Sequence, residues 1–173
     1  MPRDIVKGHA ALRRGRWSGA GAEYFLTLCT AGRNPGLIGA DCIAAIMTEA
    51  SFMERDGTWR LRCLVMMPDH IHLLVVLGGR LALGKAVARL KAKTTTGLRR
   101  AHPDLKWARD FFDHRVRADE DHLSLFLYIF LNHYRAQLCA LGESWPGYHC
   151  SDEDWRWFRH ELDNERPPPE WLA

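Results

Sequence analysis

Met66-Met67-Pro68-Asp69-His70-Ile71-His72-Leu73-Leu74-Val75-Val76-Leu77 sets the frame for the whole chain. Its branched apolar run, closed by Gly78-Gly79, predicts a buried strand. Side chains alternate across a strand, so His70 and His72 project from one face and Ile71 from the other. Two imidazoles fixed side by side are half of a divalent metal site. Standing alone, a His-x-His pair is more often structural, so the chain has to supply a further ligand and a reactive group.

On the N-terminal side, Trp59 to Met66 reads as a strand that forms a hairpin with the histidine strand through Pro68-Asp69. Glu23 to Thr30 is rich in β-formers and reads as the first strand. Between them, Asp41 is expected to cap a helix running to about Arg55, with Ile43, Ile46, Met47, Ala50 and Met53 at helical spacing. After the histidines, Leu81 to Leu98 gives a second helix with Leu83, Val87 and Leu90 as its stripe, and Asp110 to Arg117 a short strand. A third helix is expected from Asp119 to about Leu141, ending before Gly142. This order is that of an α+β ferredoxin-like sandwich, an antiparallel sheet with helices on one face. The third helix must dock beside or across that sheet. Many functions share the fold, so function has to be argued from the site.

The 173 residues are expected to form one main domain over 21–151, with a flexible basic lead-in at 1–20 and an acidic, proline-containing tail at 152–173. No apolar run approaches the ~20 residues that span a bilayer, and no apolar signal region opens the chain, so no membrane partner and a cytoplasmic location are expected. Cys29, Cys42, Cys63, Cys139 and Cys150 are dispersed, which argues against a disulfide framework or a zinc cage. The net charge of +3 is modest, but basic residues gather in the middle and acidic ones toward the end. That distribution suits a polyanionic partner.

On the third helix, Tyr128, Asn132 and Arg135 fall at i, i+4 and i+7, on one stripe. Asn132 could complete a site with His70 and His72, a mixed imidazole and amide set suited to Mg²⁺ or Mn²⁺. Tyr128, one turn away, would then be the nucleophile on a phosphate polarised by the metal. Lys91, Lys93, Thr94, Thr95, Arg99 and Arg100 offer cationic and hydroxyl donors to phosphate oxygens, although a solvated helix end with favourable cations is the commoner reading of such a run. Hydrolysis by water would need a base such as Asp69, which strand alternation aims away from the histidines.

Pro68-Asp69-His70-Ile71-His72-Leu73-Leu74 resembles the His-hydrophobe-His signature of the single-tyrosine HUH transposases. Phe111-Phe112-Asp113-His114-Arg115-Val116-Arg117, then Tyr128-Ile129 and Asn132, and Trp145-Pro146 with Tyr148 and Ser151, resemble the REP-associated tyrosine transposases. The resemblance covers roughly residues 20–151. It implies a ferredoxin-like enzyme that cuts single-stranded DNA near small hairpins, forms a 5′-phosphotyrosine link and leaves a free 3′-OH. It further implies His70, His72 and Asn132 as metal ligands and Tyr128 as nucleophile. Hairpin phosphates would be met by the Lys91–Arg100 region, Arg115 and Arg117, in a monomer or a homodimer. A hairpin-binding module with a vestigial site is the alternative. One departure stands out: the family continues Asn-Pro-Val-Arg-Ala-Gly-Leu, whereas here Asn132-His133-Tyr134-Arg135-Ala136-Gln137-Leu138 follows. Loss of Pro and Gly is expected to let the helix run on, and it makes Tyr134 a competing nucleophile.

Overall fold

In β1 (Glu23–Cys29), buried residues alternate strictly with half-buried ones, as a strand covered more tightly on one side requires. The structure is a computed structural model that describes residues 18–162 and 166–172. Most of the expected lead-in, residues 1–17, lies outside them. The chain continues as α1 (Ala40–Arg55), β2 (Trp59–Met66), β3 (His70–Leu77), α2 (Leu83–Ala101), β4 (Phe112–Val116), α3 (His122–Arg135), β5 (Tyr148–Cys150) and α4 (Asp152–Phe158). The sheet is antiparallel, in the order β4-β1-β3-β2-β5. Its first four strands are the expected ferredoxin-like arrangement.

Each face of the sheet carries its own core. Tyr24, Leu26, Leu28, Ile71, Leu73 and Val75 pack against α1 and α2 through Ile46, Ala50, Val87 and Leu90. The two helices meet closely at Gly97, where a Cβ would come within 2.4 Å of Ala45 Cβ, so that helix position needs glycine. The opposite face carries Val65, Leu74 and Val116 under Phe126, Ile129 and Phe130 of α3 and Phe158 of α4. The third helix therefore docks across the face away from α1 and α2, which is also the face of His70 and His72.

A β-bulge in β2, where the register with β3 shifts between Leu61 and Cys63, moves the alternation by one residue. Leu61 lies in the first core and Cys63 in the second. Arg62, at the bulge, forks onto Asp154 of α4, reaches Glu23 Oε1 at 2.7 Å, and lies 5.0 Å from the Phe126 ring centroid. His122, the first residue of α3, approaches the other oxygen of Glu23 at 2.9 Å. One buried cation thus ties α4 and β1 to the strand beneath α3.

Three expectations are corrected, and one strand is found in a segment for which none was expected. Gly39, not Asp41, is the N-cap of α1, and Asp41 sits in the first turn. The third helix ends at Arg135 rather than near Leu141. Its stop is a Schellman turn: Gln137 takes φ +55°, its N–H donates to Tyr134 O at 2.9 Å, and Leu138 N–H donates to His133 O at 2.9 Å. Gln137 thereby adopts, without glycine, the left-handed conformation that ends a helix. The segment expected as a tail from 152 forms α4, which buries Asp154 and Phe158, and Leu172 packs on the same core. Finally, Tyr148–Cys150 is a strand at the β2 edge, in a segment with no strand pattern of its own.

Candidate active site

β3 presents His70 and His72 on one face, as strand alternation requires, and their Nε2 atoms stand 3.1 Å apart. Each Nδ1 faces a fixed partner. Asp69 Oδ1 lies 2.6 Å from His70 Nδ1, and Thr27 Oγ1 lies 2.9 Å from His72 Nδ1. A carboxylate can only accept, so His70 carries its proton on Nδ1 and turns the Nε2 lone pair toward its neighbour. The Thr27 hydroxyl can accept in the same way from His72. His72 is 5% exposed, and its pKa is pushed down to about 3 by burial and by the neighbouring His70 and Arg33. The imidazole is therefore neutral near pH 7 and able to act as a ligand.

Asp69 is in touch with the histidines after all. The tight turn from Met67 to His70 (Met67 N–H to His70 O, 2.8 Å) breaks the strand alternation on which the opposite expectation rests. Arg33 holds the far side of this carboxylate, with Nε 2.7 Å from Asp69 Oδ2, and reaches Cys29 Sγ at 2.8 Å. Sequence reasoning finds none of Thr27, Arg33 and Asp69 as supports of the histidine pair. Strand alternation in β1 could have found Thr27. Arg33 is brought in only by the loop after β1.

α3 places Tyr128 over this pair. Its Oη is 3.4 Å from His72 Nε2, its ring centroid is 5.2 Å from that of His72, and the residue is 45% exposed. Phe25 stacks on His72, at 5.3 Å and 23°, and its ring also meets that of Tyr128 edge-on, 5.8 Å between centroids. Asn132 donates Nδ2 to Tyr128 O at 2.6 Å, which leaves its Oδ1 for another partner. Tyr134 is turned elsewhere: its ring packs on Phe130 and His133, and its hydroxyl donates to Glu143 O at 3.4 Å.

Two nitrogens each ~2.1 Å from one cation, at an angle near 90°, stand about 3 Å apart. The observed Nε2 separation and the fixed Nδ1 partners therefore fit a divalent metal with two adjacent imidazole ligands. Among the described residues no three His, Cys, Asp or Glu side chains converge, and the Asn132 amide oxygen is the candidate further ligand that α3 offers.

The basic residues divide. Lys91 is half-buried and bonds the carbonyls of Ala108 and Asp110 at 2.9 Å each, and burial lowers its pKa to about 8. Thr94 is fully buried, donates to Leu90 O at 2.8 Å and accepts from Trp107 Nε1 at 2.9 Å. Thr95 bonds Lys91 O at 2.7 Å. Lys91 and Thr94 are structural rather than phosphate-facing, because they hold the chain that leads from α2 to β4, while the Thr95 hydroxyl is spent on its own helix. Lys93, Arg99 and Arg100 are exposed, but α2 lies on the sheet face away from the histidines. Arg115 and Arg117 are exposed on and just past β4, and Arg135 is exposed in the last turn of α3. Trp145 Nε1 donates to Met66 O at 3.0 Å and Ser151 caps α4, so both of these resembling residues act as scaffold.

Two histidines and a tyrosine thus meet across the α3 face of an antiparallel ferredoxin-like sheet. Residues 21–126 match the family described as transposase IS200-like, and the chain belongs to that family. The match includes both histidines and stops two residues short of Tyr128. No curated protein matches the chain. Among solved structures, a REP-associated tyrosine transposase bound to a REP hairpin is 19% identical, covers 79% of this chain and 81% of its own, and superposes with a TM-score of 0.64. A proposed transposase from Deinococcus radiodurans R1 is 20% identical, with 73% and 92% coverage and a TM-score of 0.47. Among the described residues no helix is long and apolar enough to cross a membrane.

Proposed function

We propose that this transposase is a metal-dependent nuclease and strand transferase, acting on single-stranded DNA beside a hairpin through a 5′-phosphotyrosine. One observation carries the reading: the Tyr128 hydroxyl lies 3.4 Å from His72 Nε2, itself 3.1 Å from His70 Nε2. His70 and His72, with Asn132 Oδ1, would hold Mg²⁺ or Mn²⁺, which when bound supplies a Lewis acid at the scissile phosphate. Asp69 and Thr27 hold the two rings in the ligating tautomer. Tyr128 Oη attacks phosphorus and gives up its proton, the P–O3′ bond breaks, and the departing 3′-oxygen takes up a proton. The tyrosyl ester keeps the 5′ side of the cut, and the freed 3′-OH can reverse the step on another strand. The family match, and the hairpin bound by the similar solved structure, support DNA of this kind as substrate.

Labelled hairpin oligonucleotides with single-stranded flanks, taken from repeats near the gene and incubated with Mn²⁺ or Mg²⁺, test this on a denaturing gel. A covalent protein–DNA band that a chelator and Tyr128→Phe both abolish is expected. Cleavage that survives Tyr128→Phe overturns the nucleophile. Binding with no adduct from the unaltered protein leaves only a hairpin-binding module.

A further inference from the structure

β4 is an edge strand whose register sets Phe112 opposite Thr27, and Thr27 opposite His72. Directly paired residues of neighbouring strands share a face. The Thr27–His72 contact fixes which face this is. Phe112, Thr27 and His72 therefore form a row running from the sheet edge into the site. At ~4.8 Å per strand, the Phe112 and His72 Cα atoms are about 10 Å apart.

α3 covers only part of this row. Phe25 lies under the Tyr128 ring, 5.8 Å between centroids, and Val116 is buried in the second core. Phe112, on the same face, is 46% exposed, and no aromatic neighbour is found for it among the described residues. The adjacent Phe111 behaves differently: it packs on the first core, with Lys91 Nζ 5.6 Å from its ring centroid. The backbone just before Phe112 is pinned by the bonds from Lys91 to the carbonyls of Ala108 and Asp110. An apolar ring is thus held on a fixed strand, open to solvent, beside a second exposed ring, Tyr128.

We propose that Phe112 is a stacking platform for an unpaired nucleobase of the DNA strand, one flanking the phosphodiester that Tyr128 attacks. The inference rests on the function proposed above and adds a binding subsite to it. A strand whose phosphate lies at the histidines and that runs toward the sheet edge sets a neighbouring base at the Thr27–Phe112 end of the row, where Phe112 is left open to solvent. A base needs only an aromatic face, whatever its identity, so the subsite fixes the path of the strand rather than its sequence.

The test uses the full chain carrying Tyr128→Phe, so that the oligonucleotide stays intact. 2-Aminopurine, and separately an abasic site, is placed at each flanking position in turn. Quenching at one position or two adjacent ones is expected. Phe112→Ala should remove it and weaken binding about tenfold, Phe112→Trp should preserve both, and Phe112→Leu should behave as alanine does. With an abasic nucleotide at the quenched position, the proteins with and without Phe112→Ala should bind alike. If the unaltered protein forms its covalent adduct and Phe112→Ala keeps full quenching and affinity, this inference alone falls. If the protein binds none of the oligonucleotides, the functional reading falls with it.

Discussion

Replacing Arg62 with methionine should be among the most damaging single changes outside the active site. The Arg62 side chain is 15% exposed and faces Asp154 and Glu23, whose side chains are 5% and 14% exposed. Methionine roughly preserves volume and the contact with Phe126, so the change isolates the charge. Two carboxylates then remain in a largely dry space. Asp154 keeps the Ser151 hydroxyl at 2.7 Å, and Glu23 keeps His122 at 2.9 Å, so neither is wholly stripped. Removing one partner of a buried ion pair typically costs about 3–5 kcal/mol. For a chain of this size that is a fall in Tm of about 10 °C. Urea melts of the two proteins measure it, and Arg62→Met combined with Asp154→Leu should recover part of the loss, because one of the two stranded carboxylates is then removed while Glu23 keeps His122. A loss below about 1 kcal/mol, or no recovery in the double variant, would refute the claim that this cation fastens α4 and β1 beneath α3.

Gln137→Gly should stabilise the protein by about 0.5–1 kcal/mol, since the left-handed C′ conformation strains any residue with a Cβ by somewhat more than glycine's extra unfolded-state entropy; a lowered urea midpoint would contradict it. Burial pushes the His133 pKa down to about 4, and the residue is 1% exposed. The unfolded chain takes up that proton below about pH 6.5 while the native chain does not, so stability should fall as the pH drops, by about 2 kcal/mol between pH 7 and pH 5. His133→Phe should flatten that part of the decline in denaturant titrations at the two pH values. Asp69→Ala frees His70 Nδ1 and should weaken Mn²⁺ binding about 10–100-fold, with little change in Tm in the absence of metal; isothermal titration calorimetry giving unchanged affinity would count against the metal reading.

How much is legible in the chain follows from the range of each interaction. The bounds of β2 and β3, the shared face of His70 and His72, and the helix bearing Tyr128 and Asn132 are written locally, because side-chain period and apolar runs are properties of adjacent residues. The family resemblance of the Tyr128 region is likewise readable in the chain. The end of α3 is not, because propensity lets a helix run through Gln137, whereas the packing of the following segment imposes its left-handed conformation. Lys91 and Thr94 carry a plausible phosphate-binding composition, yet contacts with residues 107–110 bury them. Burial is decided by what lies across the fold.

The alternating strands, the helical stripes and the shared face of His70 and His72 follow from sequence alone. Each depends only on spacing along the chain. Tertiary structure selected the face that α3 covers, made residues 152–158 into α4 in the second core, and brought Thr27, Arg33 and Asp69 around the histidines. Asp69 is turned to its neighbour His70 by the local Met67–His70 turn; the other facts rest on contacts between residues tens of positions apart, chosen by the joint packing of two cores and one charge network.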